Sequence, residues 1–199
     1  MSTREMILQT AFLGFLEKGF DSISLNELIK RTNLTKGAFY YHFKSKEELL
    51  KEIIDKYFHS YIDKNGEELL HVEGNIYDKV NFIVKSIGKM QREMICFGDI
   101  EVDTKAFHRL FLSAIKKDDR LRKHNEENTK KIKGVFELIV KEAQDEGYIK
   151  KDIPASKIAN LINICIKGTM VEWMVCQKSG LENSLKENLL SLLEIAKVC

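Results

Sequence analysis

The stretch Ser24–Leu49, SLNELIKRTNLTKGAFYYHFKSKEEL, decides how the whole chain is read. Ser24 followed three residues later by Glu27 is a capping box, in which the serine oxygen and the glutamate carboxylate take up unpaired amides at a helix start. Leu25, Leu28 and Ile29 mark one apolar side of a short helix that ends near Thr32. Asn33 falls where the chain must turn, and asparagine tolerates the left-handed backbone better than most residues. Leu34 fits a buried hinge, and Thr35 caps a second helix running through Lys36, Gly37, Ala38, Phe39, Tyr40, Tyr41, His42 and Phe43. Phe39 and Phe43 lie four apart and anchor inward, which leaves Lys36, Gly37, Ala38, Tyr40 and Tyr41 on or near the outer surface. Two short helices joined by such a turn make a helix-turn-helix.

Charge supports the same reading. Between Glu27 and Glu47 there are five basic residues, Lys30, Arg31, Lys36, Lys44 and Lys46, and no acidic one. The chain as a whole is nearly balanced, 32 basic residues against 30 acidic, so this run is not a by-product of composition. A basic surface carrying aromatic hydroxyls suits a phosphate backbone. Small residues at Gly37 and Ala38 let the helix approach base edges closely.

TKGAFYYHFKSKEEL resembles the signature of the TetR family of bacterial transcriptional regulators, and the resemblance reaches back through SLNELIKRTNL. In motif it covers about residues 3–56; beyond them only length and helical character agree. It departs from the family pattern at Ile29 and Thr32, where alanines are common, and at Asn33, where glycine is common. Those changes bear on the packing of the first short helix against the second, not on the DNA face. The resemblance implies an all-α fold, with an N-terminal three-helix helix-turn-helix domain over 1–47 and a helical ligand-binding and dimerisation domain over 48–199. It implies DNA contacts from Asn26, Thr35, Lys36, Gly37, Ala38, Tyr40, Tyr41, His42 and Lys46. Tyr40, Tyr41, His42 and Lys46 are expected on the phosphate backbone, and Lys36, Gly37 and Ala38 near base edges.

The rest of the chain reads as helices. A hydrophobic fraction of 44% with 31% charged residues describes a soluble globular protein, and one proline with 11 glycines suits an all-helical one. No run approaches the roughly 18 apolar residues of a membrane span, and no signal-peptide pattern opens the chain, so a cytoplasmic protein without membrane contact is expected. Cys96, Cys165, Cys176 and Cys199 lack zinc-type spacing and read as reduced thiols. Ser2 with Glu5 starts a helix over Thr3–Lys18 that Gly19 stops. Ser45 with Glu48 starts another, reaching about Lys64, that joins head to body; Lys46 adds a full charge to an N-terminus able to hold phosphate. A loop from Gly66 to Gly74 precedes helices at about Ile76–Met94, around Phe107–Ala114, and at about Asp119–Gln144. Lys116 to Arg120 reads as a solvated junction between two of them. Pro154 sits in the first turn of the next helix, and a last stripe runs from Leu185 to Ala196.

Tyr61, Phe82, Met90, Phe97, Phe107, Phe111, Met170, Trp173 and Met174 read either as plain core or as the wall of a pocket. The resemblance implies an inducer pocket in this body, with no cofactor. His108 is either a polar group of that pocket or a surface or satisfied histidine. The last two helices carry stripes too broad for lone surface helices, and the resemblance implies a homodimer through them, with Ile158, Ile162, Cys165, Leu185, Leu189 and Leu192 as candidates. There is no GxSxG, HExxH or Gly-rich phosphate loop, and His42, His59, His71, His108 and His124 show no metal spacing, so neither an enzyme nor a metal protein is expected. The expectation is a homodimeric repressor on a palindromic operator in double-stranded DNA, released by a small apolar or amphipathic effector. A DNA-binding regulator without a ligand, and an activator, are the alternatives.

Overall fold

The computed structural model of the protein describes residues 1–58, 67–97, 100–101, 103–176 and 180–198. The elements are α1 (Thr3–Lys18), α2 (Leu25–Arg31), α3 (Lys36–His42), α4 (Lys46–Ile53) continued by a π turn (Ile54–Phe58), α5 (Glu67–Leu70), α6 (Ile76–Ile95), β1 (Cys96–Phe97), β2 (Ile100–Glu101), α7 (Thr104–Lys117), α8 (Asp119–Asp145), α9 (Ala155–Val175) and α10 (Leu181–Ala196). The fold is all-α; β1 and β2 form one antiparallel pairing of two residues each. The one-turn α5 and this pairing stand where the sequence showed only a loop and a break. Neither has the length for hydrophobic periodicity to register.

Helix starts follow the expected cap chemistry. The hydroxyls of Ser2, Ser24, Thr35 and Ser45 accept from the amides of Glu5, Glu27, Ala38 and Glu48, each cap worth about 1 kcal/mol. The boxes close differently, however. Glu48 accepts from the amide of Lys44, one residue before the cap, at 2.7 Å. Glu27 turns instead to Lys18 and Arg31, at 2.7 and 3.0 Å.

The chain forms two compact units, Met1–Lys64 with Ile95–Glu126, and Asn65–Met94 with Glu127–Cys199. The first is larger than the 1–47 head expected from sequence, because α1 packs on α7 as well as on α2 and α4. Phe12 is fully buried there, its ring 4.8 Å from Tyr57 of the π turn and 6.3 Å from Phe107 of α7. The run from Lys116 to Arg120 is not merely solvated. Asp118 caps α8 through the amides of Arg120 and Leu121, Arg120 approaches Asp55 of the π turn, and Lys117 reaches Asp21. A charge run gives no sequence sign of such partners, since each lies far away in the chain.

The second unit has its own core, including Val80, Val84, Phe136, Val140, Ile158, Ile162, Leu185 and Leu189. Ile158, Ile162, Leu185 and Leu189 are thus inside the protomer, and Cys165 and Leu192 pack against the same core. Of the six residues expected at a dimer contact, four are thus buried in the protomer's own core and two are half-buried against it. The outward face of α9 instead carries Leu161, Ile164, Gly168, Val171 and Val175. Apolar on two faces, α9 is long and apolar enough to cross a membrane by length and composition alone, although Lys157, Lys167 and Glu172 interrupt its apolar run. One of its apolar faces belongs to the core just described.

His108 lies on the buried side of α7, 4% exposed, and burial pushes its imidazole from the ordinary 6.5 down to about 4. The folded state therefore binds fewer protons than the unfolded one between those values, and stability rises with pH across the window. The contribution is complete above pH 6.5 and lost as pH falls toward 4, up to a limit of about 3 kcal/mol. Urea unfolding of His108→Leu, measured from pH 7 to 4.5, should show a shallower loss than the parent chain; parallel curves would remove His108 as the cause.

Candidate nucleic-acid interface

The reader is held from below by two phenylalanines. Phe39 and Phe43 are fully buried, and the Arg4 guanidinium lies 4.7 Å over the Phe43 ring while pairing with Glu52. Asn33 adopts φ 56, the left-handed value that the turn between α2 and α3 requires. With this side fixed, the opposite face of α3 must be outward. Thr35, Lys36, Gly37, Ala38, Tyr40 and Tyr41 are all exposed, as is Asn26 on α2. Tyr41 is 86% exposed with its ring against His42, a large aromatic hydroxyl in water that no packing need of the protomer explains. A Cβ built on Gly37 would meet nothing within 4 Å. The protein itself gives no reason for a glycine there.

The five cations of this stretch divide into two kinds. Arg31 is held by Glu17 at 2.6 Å and Glu27 at 3.0 Å, and these carboxylates raise its pKa. Lys46 folds back: its Nζ donates to the carbonyls of Phe20 and Ile23 at 2.7 and 2.8 Å and sits 4.6 Å over the Phe20 ring. The expected place of Lys46 on a phosphate is therefore corrected, because three partners within the head already occupy its ammonium. Lys30, Lys36 and Lys44 are exposed and have no ion-pair partner among the described residues. Lys30 and Lys44 entered the sequence reading only as charge; their freedom is decided by which carboxylates fold near them. Together with the exposed residues of α3 they leave a basic and aromatic surface that includes Gly37.

The residues named for a pocket are divided between the two units. Phe107 and Phe111 belong to the core of the first unit, whereas Phe82, Met170 and Trp173 are half-buried against the core of the second. Met174 is half-buried on α9. Tyr61 and the side chains of Met90 and Phe97 lie outside the described residues. A surface groove of about 290 Å³ opens between the end of α1 and α7, lined by Leu16, Arg109, Leu110 and Ser113 among others, and none of the nine named residues lines it. Among the described residues no group of three His, Cys, Asp or Glu side chains could hold a metal ion.

Residues 7–53 match the family model of bacterial regulatory proteins, tetR family. The HTH-type transcriptional repressor NemR of Escherichia coli K12 is 35% identical over 78 residues, 39% of this chain and 39% of its own length. Among solved structures, a transcriptional regulator of the TerR/AcrR family from Aquifex aeolicus is 25% identical with a TM-score of 0.57, covering 98% of this chain and 99% of its own. SmeT in complex with triclosan has a TM-score of 0.63 at 19% identity, covering 100% of this chain and 93% of its own. Sequence similarity thus concentrates on the reader, and fold similarity extends over both units.

Two outcomes test this surface on any DNA the protein binds. Lys44→Ala should reduce the slope of log affinity against log salt by roughly 1, while Lys46→Met should lower thermal stability and leave the slope unchanged. Filter binding at four salt concentrations separates the two; a flatter slope for Lys46→Met would return that lysine to the phosphate. Gly37→Leu should keep or raise stability, since glycine inside a helix costs up to about 1 kcal/mol relative to alanine, yet abolish specific binding. Normal binding by that variant would rule out a close approach.

Proposed function

We propose that this chain, a TetR-family protein by its DNA-binding domain and its fold, is a homodimeric transcriptional repressor that binds a palindromic operator and leaves it when a small apolar or amphipathic molecule binds its body. The observation that carries the reading is the outward face of α3, where Lys36, Gly37, Ala38, Tyr40 and Tyr41 are exposed together with Lys30 and Lys44, the three lysines having no ion-pair partner among the described residues. Lys36, Gly37 and Ala38 read base edges; Tyr40, Tyr41 and His42, with Lys30 and Lys44, hold the backbone. Repression is favoured over activation by the similarity to a named repressor, NemR. The protein works in the cytoplasm, where DNA and metabolites meet.

Homodimerisation rests on α9. Leu161, Ile164, Gly168, Val171 and Val175 follow one another at intervals of three and four residues, the spacing of a seam between two helices crossing at about 20°. Ile164 is 53% and Val175 78% exposed in the single chain. Gly168 at the centre of the stripe has nothing within 4 Å of its would-be Cβ, so its absent side chain serves an approach from outside. Two such helices against each other give a two-fold axis, and a two-fold protein matches a palindrome.

The effector acts by differential affinity: it favours a body conformation whose heads are wrongly spaced for the operator. Phe82, Met170 and Trp173, half-buried against the core of the second unit, are apolar side chains of the kind such a molecule would meet, and SmeT has been solved with triclosan. Helix α4 and its π turn connect the reader to the chain that follows; Phe58 and Tyr61, at that connection, have side chains outside the described residues.

Selection of duplexes from a random pool should return an inverted repeat, and a metabolite screen on that duplex should find molecules that release it. Ile164→Glu, a change at an exposed side chain, should give a monomer by sedimentation with unchanged melting and lose the preference for the repeat over a single half-site. Ile162→Ala, by contrast, should cost about 2–5 kcal/mol of stability. Recovery of no inverted repeat, or a dimeric Ile164→Glu, would falsify the corresponding half of the reading.

A further inference from the structure

Phe20, 6% exposed in the loop between α1 and α2, has a lysine ammonium against it from each of two other helices. Lys46 Nζ, from the first turn of α4, stands 4.6 Å from the ring centroid, and Lys117 Nζ, from the last turn of α7, stands 5.0 Å from it. Each lysine also makes a second attachment to the same loop. Lys46 donates to the carbonyls of Phe20 and Ile23, and Lys117 to the carboxylate of Asp21 at 2.8 Å. The ring itself packs edge-on against Phe15 of α1 at 5.2 Å.

A cation over a ring is directional, and a second bond from the same ammonium removes the freedom to slide around it. Residues 20–23 are therefore held from both α4 and α7. The far end of this loop is Ser24, the cap of α2, so whatever holds the loop holds the first half of the helix-turn-helix. Asp118, next to Lys117, does not compete, because Arg120 and the first amides of α8 already engage it.

We propose that Phe20 with Lys46 and Lys117 is a clamp that fixes the angle of the helix-turn-helix on α7, which makes Lys117 and Asp21 positioning residues for DNA recognition. The proposal rests on the reading that two heads engage one operator. Lys117 and Asp21 are on the rim, their side chains 35% and 73% exposed. A pair so exposed adds little to stability, and this separates an orienting role from a merely structural one.

The test compares the intact protein with Lys117→Met, Asp21→Asn and Lys117→Arg. Affinities are measured on the selected operator, on versions with the half-sites moved apart or together by one base pair, and on a single half-site. Lys117→Met and Asp21→Asn should leave Tm and single-half-site affinity unchanged. Both should erode the preference for the native spacing by about two- to fivefold, the factor expected of an exposed pair, and Lys117→Arg should restore it. In the free protein, hydrogen exchange at residues 20–24 should be faster in Lys117→Met, with the rest of the head unchanged. Unchanged spacing preference overturns the clamp, as does a spacing loss that tracks a fall in Tm. A parent chain that selects no two-fold DNA removes the functional reading instead; exchange then judges the clamp alone, and an unaltered rate at residues 20–24 overturns it.

Discussion

The ring of Phe12 is the contact on which the first unit depends. It is fully buried near the middle of α1, with Tyr57 on one side and Phe107 on the other. Three segments far apart in sequence, an N-terminal helix, the turn after α4 and the helix after the short strand pair, thus share one core. The reader of α2 and α3 is built outward from it, through Phe15, Leu28, Phe39 and Phe43, all almost completely buried. Without that shared core the helix-turn-helix would be a small three-helix domain, of a size that buries too little surface to be firmly stable alone.

What the sequence made legible was local. Caps at Ser2, Ser24, Thr35 and Ser45, the left-handed Asn33 and the inward Phe39 and Phe43 follow from chemistry within a few residues, and the structure has them all. The exposed face of α3 was legible for the same reason. What escaped depends on partners distant in the chain. Lys46 looked like a phosphate ligand because nothing nearby in sequence says that two carbonyls of the α1–α2 loop will meet it. The extent of the first unit was hidden for a related reason: the family match ends at residue 53, whereas the packing of that unit also takes in Ile95–Glu126.

Helix α9 shows a subtler limit. A stripe read at period 3.6 tells which residues avoid water, but a helix apolar on two faces offers two stripes, and the one facing the core is the stronger signal. Ile158 and Ile162 belong to that inner stripe; Leu161 and Ile164, in the gaps between, belong to the outer one. A choice between two such faces needs the neighbouring helix in place, here α10 with Leu185 and Leu189. Only after α10 has covered one face does the other stand out as unsatisfied.

The division of charge within the reader has a kinetic consequence. Two of the five cations between Glu27 and Glu47, Arg31 and Lys46, are spent on the head's own architecture. Hold on arbitrary DNA grows with the number of phosphates neutralised, so a head with few free ammonium groups dissociates readily from sequence it does not recognise. Under the proposed function, such a protein would search a chromosome by many short visits, not by long slides. Its dwell time would then be governed by contacts that only the right bases and the proposed two-fold geometry supply, so that occupancy of a site would follow its match to the reader more closely than the abundance of surrounding DNA.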